Sequence, residues 1–105
     1  MVIIETPIFT RRIQATLSDE EYRFLQIQLV NRPDSGKVIP GSGGLRKLRW
    51  SAGGHGKRGG IRVIYYWFVS RDVLLLLFAY LKSERDDLTP EQLRQLKKVV
   101  EGEYR

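Results

Sequence analysis

The chain of 105 residues has no cysteine, one histidine and one methionine. Without cysteine there is no disulfide framework, no thiolate zinc centre and no cysteine nucleophile. One histidine excludes a multi-histidine metal site, and no cofactor is implied. Long hydrophobic runs are missing too. The stretch Val73–Leu81 falls far short of the roughly 20 residues a membrane-spanning helix needs, so no membrane partner is expected. The N-terminus lacks the basic start and apolar core of a signal peptide, which predicts a cytoplasmic chain. The most informative absence is local: no acidic residue occurs between Ser35 and Arg71, whereas Lys37, Arg46, Lys47, Arg49, Lys57, Arg58, Arg62 and Arg71 do. With 18 Lys+Arg against 12 Asp+Glu in total, the rest of the chain is slightly acidic, and the net charge of +6 belongs to this one segment. A charge run can be merely a solvated face. Surfaces normally intersperse the two signs, however, so a segregated basic stretch points to a polyanion.

The length fits a single domain spanning residues 1–105, and 42% hydrophobic content suits a folded chain. Val2–Glu5 reads as a short edge strand. Phe9, Ile13 and Leu17 mark one face of a short helix. Ser18 and Glu21 form a capping box that opens a second helix, which Pro33 ends. Leu45–Ala52 alternates as a strand does. Ile61–Val69 and Val73–Leu81 are the strongest strand signals, joined by the turn Ser70–Asp72. Thr89, Pro90 and Gln92 begin a last helix with Leu93, Leu96, Val99 and Val100 as its apolar stripe. The order β–α–α–β–β–β–α predicts an α+β fold, an antiparallel β-sheet with two N-terminal helices and a C-terminal helix. The helices are expected on one sheet face, leaving the other open to a ligand.

Strand alternation sorts Arg62, Ile64, Tyr66 and Phe68 to one side and Ile61, Val63, Tyr65 and Trp67 to the other. On the same rule Leu74, Leu76, Phe78, Tyr80 and Lys82 share a face. Arg62 and Tyr66 are therefore expected beside Tyr80 and Lys82, together with one basic row of the preceding strand, Lys47 and Arg49 or Arg46. Cations interleaved with aromatic rings suit single-stranded nucleic acid, where charge meets phosphate and ring faces meet bases. The plainer reading, that the aromatics fill a core, is preferred for Tyr65 and Trp67 and stays open for Tyr66 and Tyr80.

The loop Gly53–Gly60 contains a GxGxxG spacing, but it leads into a strand and not a helix, so it is no dinucleotide motif. With Lys57 and Arg58 it reads as a phosphate-gripping flap, or else as a plain surface loop. His55 sits in the same loop without a neighbour to orient it and reads as a bystander near RNA. Glu84, Asp86 and Asp87 lead into a helix cap and read as structural.

The runs GGLRKLRW (43–50), GKRGGIRVIYYW (56–67) and AYLKSERDDLTPEQLRQL (79–96) resemble the HigB branch of the RelE-like toxins, the toxin halves of bacterial type II toxin–antitoxin pairs. The resemblance extends upstream over 17–47 and so covers nearly the whole chain. It implies a microbial-RNase-like α+β fold. It also implies a metal-independent endoribonuclease (an mRNA interferase) acting on mRNA in the ribosomal A site, and inhibition by a cognate antitoxin. The free chain is expected to be a monomer.

The chemistry so implied is attack of a ribose 2′-OH on the adjacent phosphorus, which needs a base, cations on the developing charge and an acid for the leaving oxygen. By resemblance, Lys47 matches a catalytic lysine, Arg62 the arginine that holds the scissile phosphate, and Lys82 one member of a catalytic basic pair. Lys57 and Arg58 match an RNA-gripping loop, with Arg46, Arg49 and His55 as further RNA contacts. Ser83 stands where better-known RelE-type members carry an arginine, and Leu88 falls near their stacking tyrosine. Tyr66 or Tyr80 is the substitute this sequence offers. A noncatalytic RNA- or ribosome-binding module is the alternative, and a module whose basic face docks an acidic protein is a third reading.

Overall fold

Thr6 starts the first helix. Its hydroxyl accepts the Phe9 N–H at 3.2 Å, and Pro7 occupies the first helical position, where its missing N–H costs nothing. The computed structural model describes residues 1–51, 60–85 and 87–104. Strand β1 (Val2–Glu5) runs into helix α1 (Pro7–Thr16), which starts two residues earlier than its apolar spacing suggests. Helix α2 (Asp19–Asn31) opens on the expected capping box: Ser18 Oγ accepts the Glu21 N–H, and Glu21 accepts the Ser18 N–H. Then follow β2 (Lys37–Val38), β3 (Arg46–Trp50), β4 (Ile61–Phe68), a single 3₁₀ turn at Val69–Arg71, β5 (Val73–Leu81) and α3 (Pro90–Tyr104). The Thr89–Gln92 cap forms reciprocally, as the sequence proposes. Among the described residues no helix is long and apolar enough to cross a membrane.

The sheet order is β1-β5-β4-β3-β2. The four strands β2 to β5 pair antiparallel, but β1 lies parallel to β5, with Val2 opposite Val73, so the sheet is mixed and not wholly antiparallel. Tight turns force antiparallel pairing only on strands that follow one another. β1 instead leaves through two helices and meets β5 at the far edge, which frees it to run the other way.

Both faces of the sheet carry helix. On one face Phe9, Ile13, Leu25 and Leu29 of α1 and α2 pack against Leu48, Ile61, Val63, Tyr65, Leu74 and Leu76. On the other, Leu93, Leu96 and Val100 of α3 pack with Leu45, Ile64, Leu75, Leu77 and Phe78. The expected open face is thus half roofed, because the apolar stripe of α3 needs a partner that α1 and α2 no longer offer.

A β-bulge corrects the face assignment of β5. Ile64 stands opposite Phe78 but Tyr65 stands opposite Leu76, so Leu77 is an extra residue. Leu77 and Phe78 both join the α3 side, while Leu76 and Ala79 join the other. Leu74 and Leu76 consequently lie opposite Phe78 and Tyr80, against the simple alternation.

Tyr65 is core, as preferred. It is buried, donates its hydroxyl proton to Pro33 O at 2.6 Å and accepts the Gly36 N–H at 2.9 Å. Burial pushes its pKa up, opposed by the Gly36 N–H and the Arg46 charge. Gly36 is glycine for space: a Cβ there would stand 2.7 Å from Tyr65 Cε1.

Candidate nucleic-acid interface

Antiparallel partners share a face, so the register builds the site directly. Lys37 faces Lys47 across β2 and β3, Arg49 faces Arg62 across β3 and β4, and Arg62 faces Tyr80 across β4 and β5. Neighbouring strands lie about 4.8 Å apart and alternate residues about 6.6 Å apart along a strand. Two rows result, Arg49–Arg62–Tyr80 and Lys37–Lys47–Ile64–Phe78. The next row, Leu45 and Tyr66, is apolar and lies under α3. The sheet face therefore runs from a cationic end to a helix-covered apolar end.

Like charges directly opposite on neighbouring strands are destabilising, and here two such pairs, Lys37–Lys47 and Arg49–Arg62, stand in adjacent rows. Asp87 offsets part of this charge at Lys47, and an anion bound across the rows would offset it further. Ser35, Lys37, Lys47, Leu48 and Arg49 line an open depression of about 520 Å³. Arg49 and Lys37 are exposed, Lys47 is half-buried, and Arg62, opposite Arg49 in the register, is only 6% exposed.

Tyr80 is 1% exposed, and its hydroxyl is buried without a hydrogen-bond partner among the described residues. Burial raises its pKa first and the Asp87 carboxylate raises it further, against Arg62 and Arg85. Such a phenol keeps its proton. It remains a hydrogen-bond donor rather than a group that surrenders a proton.

Not every residue singled out from the sequence joins this site. Tyr66 lies four residues from Arg62, about 13 Å along the strand. It packs edge-on against Phe68 beside Ser42, Gly43 and Lys97. Arg46 is on the opposite face, opposite Tyr65, where its guanidinium donates to Gly36 O at 2.8 Å and ties down the β2 approach. Lys82 follows the end of β5, and its backbone N–H donates to Gly60 O at 3.1 Å, holding it beside the start of β4. His55, Lys57 and Arg58, like Asp86 and most of the glycine loop, lie outside the described residues. Ser83 is exposed, and Leu88 packs into the α3-side cluster, so its side chain is occupied in apolar contact.

Besides Lys37, which only its pairing with Lys47 brings to the site, two further residues enter that the sequence reading did not place there. Arg85 carries its guanidinium 5.5 Å from the Phe78 ring centre and 5.8 Å from that of Tyr80. It brings to the site a guanidinium that Ser83 cannot supply. A turn has no periodicity to say which way Arg85 points, so only the three-dimensional structure reveals it. Asp87, read as part of a cap, has its Oδ1 3.5 Å from Lys47 Nζ while accepting the Leu88 N–H at 2.9 Å.

Glu84 is structural, as expected. It accepts the Leu81 N–H and pairs with Arg12, which also donates to Ala79 O at the open edge of β5. The Leu81 N–H and the Arg12 charge hold its carboxyl below the ordinary 4.5. A lowered folded-state pKa stabilises above pH 4.5 and is lost as pH falls through the folded value. With Glu84 37% exposed, the effect is under about 1 kcal/mol. Acid unfolding followed by circular dichroism should start at slightly lower pH in Glu84→Gln than in the wild type, measured relative to each protein's stability at neutrality. Parallel curves would remove Glu84 from the acid response.

No protein-family model matches the chain. Among solved structures it is similar to a mutant of E. coli toxin RelE in the free state, with a TM-score of 0.60 over 94% of this chain and 95% of that one, at 9% sequence identity. It is also similar to a chain of the intact E. coli RelBE toxin–antitoxin complex, with a TM-score of 0.55 over 74% of this chain and 92% of that one, at 12% identity. At such identities the likeness is one of fold: three helices and a five-stranded mixed sheet arranged as in RelE.

Proposed function

We propose that this chain is the toxin of a type II toxin–antitoxin pair, of the RelE/HigB kind, and that it cleaves mRNA on the ribosome without a metal. The observation that carries the reading is the pair of like-charge cross-strand registers in adjacent rows, Lys37–Lys47 and Arg49–Arg62, the second running on to Tyr80, in a RelE-like fold. In the proposed reaction the 2′-oxygen of one nucleotide bonds to the adjacent phosphorus and the bond from phosphorus to the 5′-oxygen breaks. The products are a 2′,3′-cyclic phosphate and a 5′-hydroxyl. The 2′-proton passes to a base, for which Lys47 is the candidate, and the 5′-oxygen takes a proton from solvent water. Arg62 and Tyr80 donate hydrogen bonds to the non-bridging oxygens as charge builds on them. Arg49 and Lys37 receive flanking phosphates, and Lys82 and Arg85 add charge at the end of β5. The ribosome supplies the remaining alignment of the RNA, and the cognate antitoxin opposes the activity.

Induction of the chain in bacteria, with mapping of 5′ ends on a translated reporter mRNA, tests the proposal. Growth arrest with new 5′-hydroxyl ends in the coding region is expected. Lys47→Gln should lower cleavage about 10²-fold, the scale of losing a proton-transfer group. Arrest without new ends would overturn cleavage and leave the noncatalytic ribosome-binding alternative. No arrest and no cleavage would overturn the toxin reading altogether.

A further inference from the structure

We infer that Asp87 is a built-in competitor for RNA phosphate, an internal oxyanion that occupies Lys47 until substrate displaces it. The inference rests on the RNA-binding reading of the basic face. The Asp87 carboxylate stands 3.5 Å from Lys47 Nζ, at the position and with the charge that a phosphate oxygen would bring. It also acts on the second candidate donor, since its charge is felt at the buried Tyr80 hydroxyl. Asp87 thus stands against Lys47 and bears electrostatically on Tyr80.

The pair is built to yield. Asp87 is 67% exposed and Lys47 30%, and an exposed pair of this kind is weak enough for a polyanion to displace. Asp87 is nevertheless fixed in place, because the Leu88 N–H donates to the same Oδ1 just before α3 begins. It also relieves the repulsion that Lys37 and Lys47 suffer across the strands in the absence of RNA. The outcome is a site whose resting affinity is set below what its cations alone would give.

The test is binding of a short fluorescein-labelled single-stranded RNA to the purified full chain by anisotropy over a range of salt concentrations. Asp87→Asn retains an oxygen for the Leu88 N–H and removes the charge. It should bind about two- to fivefold more tightly at moderate salt, the factor an exposed ion pair is worth. Its salt dependence should also steepen by about 0.7 in log–log slope, because Lys47 then releases a solution counterion on meeting a phosphate. Both gains should vanish when Lys47→Gln is combined with Asp87→Asn. Equal thermal midpoints of wild type and variant show that folding is intact, and Asp87→Ser, which also offers an acceptor, replaces the Asn variant if they differ. Wild-type binding that Asp87→Asn leaves unchanged or weakens overturns this inference and spares the RNA-binding reading. A gain that survives in the double variant overturns it as well, since the effect then does not pass through Lys47. Absence of RNA binding in both forms overturns both.

Discussion

Arg62→Ala should slow RNA cleavage by about 10²- to 10³-fold, the scale of losing one preorganised donor to a transition-state oxyanion, and with it abolish growth arrest. Arg62 is nearly buried, between Arg49 and Tyr80 in the register. A guanidinium there has shed most of its water, so on the proposed function its charge acts on a phosphorane through a poorly screened medium. Arg62→Lys separates charge from geometry: it keeps the cation, loses the planar fork, and should recover only part of the activity. The check is single-turnover cleavage of mRNA bound in the A site, alongside thermal midpoints for both variants. A folded Arg62→Ala protein that cleaves at the wild-type rate would take Arg62 out of the chemistry.

The largest effect on stability should come from Phe9→Ala. Phe9 has no exposed surface, sits in α1 against β5, and its ring lies 6.1 Å from that of Tyr22. Truncating a buried phenylalanine costs about 3–5 kcal/mol, part of it for the cavity left behind. A domain of this size is stable by about 5–15 kcal/mol in total, so the thermal midpoint should fall by more than about 10 °C. Phe9 is on the sheet face remote from the basic rows. RNA affinity per folded molecule, measured well below the midpoint, should stay at the wild-type value. A loss below about 1 kcal/mol would show that the neighbouring side chains close the gap, contrary to the dense packing expected of such a core.

Local chemistry was legible in the sequence where it is carried by single residues. The Ser18–Glu21 and Thr89–Gln92 caps form as their spacing indicates. The alternation of β4 assigned Arg62 and Tyr65 to their proper faces because that strand is regular up to its pairing with the bulge. What stayed hidden depends on partners distant in the chain. In VLLLLFAYL every residue is apolar or aromatic, so one extra residue at Leu77 leaves no break in a polar–apolar pattern to reveal it. The stripe on α3 says that the helix docks but not on which face, and that choice decides how much of the basic surface remains open. Tyr66 illustrates the result: alternation puts it on the correct face, yet it lies about 13 Å along the strand from Arg62, at the end that packs under α3. The sign of the charge run was readable as well, but not which cations oppose one another, because that depends on the register of β2 and β3.

The parallel pairing of β1 with β5 has a consequence for synthesis. Val2 leaves the ribosome well before its strand partner Val73, which follows only after α1, α2 and the strands β2 to β4. Closing so long a loop is entropically slow compared with forming the hairpins of β3, β4 and β5. Assembly of the sheet from β3, β4 and β5 outward is therefore favoured, with β1 seated late. Until then Val2, Ile3 and Ile4 travel as an unpaired apolar segment. A nascent chain stalled before β5 has neither the outer edge of its sheet nor Tyr80, so the protein cannot acquire its complete site while the first half of it is still being translated.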